Sequence, residues 1–488
     1  MSSSPDALYH AIPQAPVASN PIRISEHDPE PSIDLDDEDQ APVVSLPVDA
    51  RIRGVHFVLG CAVLLPWNAL ITATPYFLSR LENSPFRSTF SSYFSITFTT
   101  ANFICLAHAT VTSKQSSPSR QTIFSLLWLS ALCFLLTLST LIEISPGPFF
   151  AFVILNGIVQ AAFGSYLQTS VIAVASLFGP TAVQAMLSGQ AAVAVAVSTV
   201  QVLSATASVH GEDRPVDGLT RDKNPEERAA FIFFGLSTIF LLVTVGAQWW
   251  LTRMPQYHAV AGSLEAAHKP GRSSGTDDET RGLVSGGRSD HETSIEKARI
   301  IRVAKTNIVY EVAVAYVFMV TLAVFPPITA SVQPTNPNLH PLLFTSIHFL
   351  IFGLGDFVGR YICSFPQVLI WSARKLLTLA LARTLFVFLF LMCNITRPAA
   401  ESSNPIINSD FLFFLILFAF GCSNGYVSSL CLMSAPSLEH NPRLKGKKED
   451  VDVAATVSQF CLIGGLMIGT IVALLCQGDP SALQAMPK

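Results

Sequence analysis

Eleven runs of apolar residues, each close to the length of a bilayer-spanning helix, constrain this chain more than any other feature. They lie at about 54–79, 90–111, 121–143, 148–170, 181–204, 229–252, 307–331, 341–363, 374–395, 408–432 and 451–476. A helix rises 1.5 Å per residue, so roughly 20 residues cross a hydrocarbon core of about 30 Å. Lipid offers no partner to the backbone, so such segments must satisfy their own hydrogen bonds as helices. The pattern predicts an all-α polytopic membrane protein with eleven transmembrane helices. Composition agrees: 13% of the 488 residues are charged, against roughly 25% in soluble domains.

The formal net charge of −4 gives no electrostatic ground for a nucleic-acid partner. All nine cysteines (61, 105, 133, 363, 393, 422, 431, 461 and 476) fall in apolar runs. They show neither metal-ligand spacing nor a disulfide framework and read as small apolar side chains. No metal or cofactor is expected; the partner dictated by composition is the lipid bilayer.

The polar stretches divide the chain. Residues 1–50 hold ten acidic residues, eight prolines and one basic residue, Arg23. They do not read as a signal peptide and are expected to form a disordered acidic cytoplasmic tail. A six-helix half follows at 51–252. Residues 253–305 are rich in Gly, Ser and charge and are expected to be a flexible cytoplasmic linker. A five-helix half follows at 306–488.

Basic residues orient the chain. With the N-terminus in the cytoplasm, 20 of the 30 Lys and Arg side chains fall on the cytoplasmic side and eight opposite, while Arg360 and Arg383 lie within spans. The positive-inside rule therefore favours a cytoplasmic N-terminus and an extracellular or luminal C-terminus. The sequon Asn394-Ile395-Thr396 then lies on the non-cytoplasmic side, close to the membrane. The hexamer Glu279-Thr280-Arg281-Gly282-Leu283-Val284 approaches an acidic dileucine sorting signal but ends in Val. The choice between a vacuolar or endosomal membrane and the plasma membrane stays open.

Within the eighth apolar run, "FGLGDFVGR" (352–360) places Asp356 and Arg360 four residues apart, on one helix face. A charge at bilayer depth costs about 2.5–3.5 kcal/mol on insertion scales. Gly353-Leu354-Gly355-Asp356 fits the GxGD pattern of intramembrane aspartyl proteases. That chemistry needs two carboxylates sharing a proton. Asp356 is the one acidic residue deep in a span, with Glu143, Glu311, Asp410 and Asp452 at segment ends. An arginine one turn away would also hold Asp356 ionised. No serine-hydrolase elbow, zinc-protease motif or phosphate loop is read in its place. The expectation is a solute pathway rather than an enzyme. The alternative for the Asp356–Arg360 pair is a structural salt bridge.

Other spans carry polar groups with two readings each. "LLPWNALITATPYF" brings together Pro66, Trp67 and Asn68: a helix break, a stacking face and an amide, or an interfacial Trp beside a kink. "FGSYLQTS" puts Gly164 and Gln168 on one face, suited to a planar base edge or to interhelical packing. Ser188, Gly189 and Gln190 set small and amide groups within the fifth span. Pro326-Pro327 should end the seventh, as a gate hinge or as a plain helix end. Arg383 sits inside the ninth span as a gate or tie, and Asn424-Gly425 joins an amide to close packing in the tenth.

Taken together, "LLPWNALITATPYF", "SGQ" (188–190), "GDFVGR" (355–360), "ARTLFVFLFLMCN" (382–394) and "SNGYVSSLC" (423–431) resemble the equilibrative nucleoside transporter family, in order along the chain. The resemblance implies a major-facilitator-like 6+5 arrangement and facilitated movement of nucleosides of the adenosine or uridine type, and in some members nucleobases. It implies Trp67, Asn68 and Ile71 in the cavity, and Gly164 and Gln168 near the nucleoside, with Gln168 reading the base. Asp356 and Arg360 would hold the ribose hydroxyls. Phe325 and Pro326 would form the outer constriction and Arg383 part of the cytoplasmic closure. Gly353 and Phe357 stand where relatives often carry Asn and Trp, which leaves base selectivity open. A monomer is expected. Proton coupling is left open, with Asp356, His348 and Glu311 as carriers. The remaining alternatives are a proton-dependent organellar transporter and a non-transporting nucleoside sensor.

Overall fold

The computed structural model describes residues 49–82, 84–113, 116–212, 225–266, 285–336, 339–395 and 405–477. The acidic tail up to residue 48, the hexamer at 279–284 and Thr396 of the sequon lie outside the described residues.

Fifteen α-helices are described. They are α1 (Ala50–Thr72), α2 (Thr74–Arg80), α3 (Phe90–Val111), α4 (Pro118–Ser139), α5 (Pro146–Leu177), α6 (Pro180–Glu212), α7 (Pro225–Thr252), α8 (Pro255–Ala266), α9 (Ser285–Thr306), α10 (Ile308–Val324), α11 (Pro341–Ile362), α12 (Ala373–Ala382), α13 (Leu385–Leu391), α14 (Asp410–Ser434) and α15 (Val451–Gln477). Six of them open on proline, which lacks the N–H that a first helical turn leaves unpaired. Ser409 closes the start of α14 by accepting from the Leu412 N–H. α10 ends at Val324, immediately before the Phe325-Pro326-Pro327 stretch.

Ten of these helices are long and apolar enough to cross a membrane: α1, α3, α4, α5, α6, α7, α10, α11, α14 and α15. Their outer faces carry large apolar side chains in the open, among them Leu155, Leu203, Leu236, Val243 and Phe411. Such a surface is a liability in water and the natural exterior in lipid.

Three sequence expectations change. The ninth apolar run is not one continuous helix. It is α12 and α13, separated at Arg383 and Thr384, whose side chains are drawn inward by Ser423, Thr321 and Tyr316. The stretch 253–305 is not wholly a flexible linker, because α8 and α9 occupy its two ends. α8 buries Tyr257 and Ala261. Its Glu265 carboxylate accepts from the Tyr257 hydroxyl (2.8 Å), the Ser119 N–H (3.0 Å) and the Ser117 hydroxyl, which pins it over the start of α4. α9 buries Val303 against Leu444, Val453 and Val457, and Arg302 grips Asp450 with two bonds of 3.0 Å. The polar composition of the stretch hides one buried stripe on each helix. The break in α1 also falls later than Pro66. The helix runs through that proline and ends at Thr72.

The helices pair in two sets. α1 lies along α6, α3 along α5 and α4 along α7; in the second set, α11 lies along α14 and α10 along α15. The sets meet mainly where α6 lies on α11 and where α15 lies on α5 and α3. Glycine governs the closest pairings. A Cβ added to Gly189 would stand 2.0 Å from the Phe57 carbonyl oxygen of α1. One added to Gly425 would stand 2.0 Å from the Asp356 carbonyl oxygen, and one at Gly359 would stand 2.1 Å from that of Cys422. α11 and α14 thus touch backbone to backbone, a spacing that only glycine permits.

This packing separates two glycine substitutions that look alike in sequence. Gly425→Ala should force α11 and α14 apart and destabilise the protein by about 1–3 kcal/mol. Gly164→Ala has no atom within 4 Å of the new methyl group and should leave stability unchanged. Thermal unfolding of both purified variants in one detergent checks the contrast.

Candidate functional site

Asp356 and Arg360 form an ion pair on α11, with the Arg360 Nε donating to Asp356 Oδ2 at 2.8 Å. The residues are 8% and 7% exposed. The pair is not isolated. Asn424 of α14 donates from Nδ2 to Asp356 Oδ1 at 2.6 Å, across the glycine-lined contact. The Asn424 side-chain oxygen, Oδ1, then accepts from the Thr321 hydroxyl (2.7 Å) and from Arg383 Nη2 (3.5 Å). An amide suits this place because its N–H faces an anion while its oxygen faces a cation.

Arg383 lies wholly inside, at 2% exposure. It donates to the Phe420 carbonyl (3.2 Å), to Ser423 (2.5 Å) and to Thr321 (2.7 Å), and its guanidinium sits 4.6 Å from the Phe420 ring centroid. All these partners belong to the second helix set. The geometry therefore makes Arg383 a tie among α10, α14 and the α12–α13 break. No contact recorded for it reaches the first helix set.

Arg360 does reach the first set. Its Nη1 donates to the Leu187 carbonyl of α6 at 3.3 Å. In return, Gln184 of α6 donates to the Arg360 carbonyl at 3.1 Å and to Ser188 at 2.9 Å. Sequence reasoning passed over Gln184, Thr321 and Ser423. Gln184 stands one turn before Ser188, so helical spacing alone could have found it.

The remaining sequence-selected residues divide. Trp67 is part-buried, its ring stacked on Phe94 at 6.2 Å and tilted against Phe98 at 4.1 Å, the two rings lying one turn apart on α3. Asn68 donates to the Leu64 carbonyl of its own helix at 2.9 Å. Pro66 is buried, and Ile71 is 41% exposed. Gly189 is the contact point of α6 on α1, and Gln190 Nε2 is buried without a partner among the described residues. Phe325 stacks on Phe352 (4.0 Å) and His348 (4.8 Å), with Pro326 exposed beside it. Gly164 opens onto space, and one turn on, Gln168 is 8% exposed with no hydrogen bond recorded for its amide.

The letters Gly421-Cys422-Ser423-Asn424-Gly425 do spell G-x-S-x-G, contrary to the sequence reading. They lie in the middle of α14, not at a strand-to-helix turn, and Ser423 accepts from Arg383. The recorded partners of the Asp356 carboxylate are Arg360 and Asn424, not a second acid. Neither arrangement is a hydrolytic centre.

A family model described as "Nucleoside transporter" matches residues 154–477, more than half of the chain. Equilibrative nucleoside transporter 1 of Homo sapiens is 26% identical over 464 residues, covering 86% of this chain and 95% of that protein. Nucleoside transporter FUN26 of Saccharomyces cerevisiae is 24% identical over 458 residues, covering 88% of this chain and 86% of that protein. Among solved structures, the Major Facilitator Superfamily transporter FucP in its outward conformation aligns with a TM-score of 0.47 at 15% identity, covering 87% of this chain and 95% of that one.

The network predicts strong coupling between its members. Arg360→Met alone leaves the Asp356 charge buried beside Asn424 and should destabilise by about 3–5 kcal/mol, while Asp356→Asn combined with Arg360→Met should recover much of that loss. A double-mutant cycle on thermal stability checks this, and additive losses would contradict it.

Proposed function

The chain belongs to the nucleoside transporter family, and from that membership we propose that it moves nucleosides across a membrane by facilitated, alternating access. The observation that carries the reading is the family match over 154–477. The proteins of that family found here are transporters rather than enzymes.

The interior chemistry supports a nucleoside as cargo. A nucleoside is neutral, with a planar base and a hydroxyl-rich sugar. Removing those hydroxyls from water is unfavourable unless fixed polar groups receive them. Gln168 is the best-placed group for the base. Its amide has a donor and an acceptor side by side, it has no recorded partner, and Gly164 leaves room next to it. Asp356 and Arg360 are proposed for the sugar. Both are already engaged, so the sugar would share their remaining lone pairs and N–H groups rather than meet free charges. Trp67 and Ile71 would line the route, and Phe325 and Pro326 would narrow its far end.

Alternating access would part the two helix sets where α6 meets α11, at Gln184, Leu187 and Arg360. The proposed orientation sets the N-terminus in the cytoplasm, which makes this contact the cytoplasmic closure. Adenosine and uridine are the proposed substrates and a monomer the proposed working unit. A proton-dependent variant of the same activity is the second reading, favoured by one buried acid considered below.

Uptake of labelled uridine and adenosine into proteoliposomes tests the proposal. The wild-type protein should show saturable flux of at least one. Gln168→Leu keeps the shape and removes the amide, and should raise KM about tenfold, the worth of one good buried hydrogen bond. Its melting temperature should stay unchanged. Folded wild-type protein that passes neither nucleoside would refute the function; unchanged kinetics in Gln168→Leu would refute the base site.

A further inference from the structure

Of the three titratable groups that could carry a proton, one has partners on both of its oxygens. Asp356 is held by Arg360 and Asn424. His348 shares a hydrogen bond from Nε2 with the Thr329 hydroxyl at 2.8 Å, has no partner for Nδ1 among the described residues, and is wedged among the Phe325, Phe349 and Phe413 rings away from the seam between the helix sets. Glu311, in the first turn of α10, differs from His348 in facing α15. It is 2% exposed. Oε1 accepts from the Ser458 hydroxyl of α15 at 2.9 Å, while Oε2 has no partner among the described residues.

Among the described residues, no cation pairs with Glu311. From α15 it is faced by Ser458 and the Cys461 thiol, and from α14 by the Cys431 thiol. The cations of nearby elements are turned elsewhere. Arg302 of α9 grips Asp450, and Arg443, in the connection before α15, lies over the Tyr310 ring. Lys305 of α9 and Arg374 and Lys375 of α12 are exposed. The other buried acid of α15 is Asp452, in its first turn. An anion at Glu311 would thus be a buried charge with neither a paired cation nor a full set of donors.

Position gives this acid leverage. One turn after Glu311, the Ala315 carbonyl oxygen lies where a Cβ on Gly465 would stand 2.2 Å away, so α15 is seated backbone to backbone on α10. Two residues past Ser458, Phe460 stacks on Phe103 of α3 at 5.2 Å, which joins α15 to the first helix set. An acid that must recruit water or a donor on ionising would unseat α15, and α15 is one of the two places where the sets meet.

We propose that Glu311 is a proton-binding site whose occupancy controls the seating of α15 between the two helix sets, and so gives transport its dependence on pH. The inference rests on the alternating-access reading above. The proton-bearing carboxyl fits the packing seen here; losing the proton to water favours the state in which α15 has moved. Flux should therefore fall as pH rises.

The test is initial uridine and adenosine uptake in proteoliposomes across pH 5–9, for wild type, Glu311→Gln and Glu311→Asp, with difference infrared spectra of the same purified samples. Wild-type flux should fall about tenfold over a titration of one group. Glu311→Gln, a neutral isostere, should keep flux and lose the pH dependence, and Glu311→Asp should move the midpoint. The spectra should show a carboxylic-acid carbonyl band that titrates in wild type and is absent in Glu311→Gln. The same pH profile in Glu311→Gln as in wild type, or identical spectra, would overturn the proposal. Absence of flux at every pH in wild type would instead refute the transport reading, while the infrared band would still decide whether Glu311 exchanges a proton.

Discussion

The second half of this protein is organised around the need to keep one carboxylate, Asp356, inside a helix bundle. Its first partner is Arg360, one turn along the same helix. The second must come from another helix, and Asn424 reaches it because glycines at 355, 359, 421 and 425 bring α11 and α14 into backbone contact. That choice creates a further demand. The Asn424 oxygen needs donors, and Thr321 and Arg383 supply them. Arg383 in turn brings a second cation inside and finds Ser423, Phe420 and Thr321 around it. The helix of the ninth apolar run is interrupted at this residue. Each buried polar group is admitted only with the next, as a low-dielectric interior requires.

The same network separates structural polarity from polarity available to a solute. Asp356, Asn424, Thr321 and Arg383 serve one another, so their loss acts first on folding. Gln168 is the contrasting case, a buried amide with no hydrogen-bond partner among the described residues. Arg360 belongs to both groups. It balances Asp356 within α11 and donates to Leu187 across the boundary between helix sets. A guanidinium with five N–H donors can do both and still offer one to a sugar hydroxyl.

Periodicity and composition made most of the architecture legible. Apolar runs of about 20 residues located ten long helices, and prolines marked the starts of several. The ninth run misled because an apolar count is blind to where a buried arginine must find its partners. The 253–305 stretch misled for the opposite reason. Tyr257 and Ala261 in α8, and Val303 in α9, are single buried stripes diluted by exposed polar neighbours. At the site, the i, i+4 spacing of Asp356 and Arg360 was sufficient to foresee their pairing. Gln184 follows the same rule with Ser188 but was missed, since nothing in the sequence names its other partner, the Arg360 carbonyl 176 residues away. The ring partners of Trp67, Phe94 and Phe98, were not legible, because their positions depend on how α3 lies against α1.

The manner in which the two sets are joined bears on whether they can separate. Inside each set, glycines lock backbones together, with no side chain free to adjust. Between α6 and α11, the recorded polar ties are Gln184 to the Arg360 carbonyl and Arg360 to the Leu187 carbonyl. A hydrogen bond of this kind contributes about 0.5–1.5 kcal/mol net of the water that replaces it, so these two polar ties together add only roughly 1–3 kcal/mol to the contact. Where two conformations differ by only a few kcal/mol, a ligand that binds one of them better by a similar amount shifts the balance. Helix sets closed internally by glycine contacts and tied to each other by a few adjustable side chains suit what a carrier requires, a fixed interior in each set and a seam that can open.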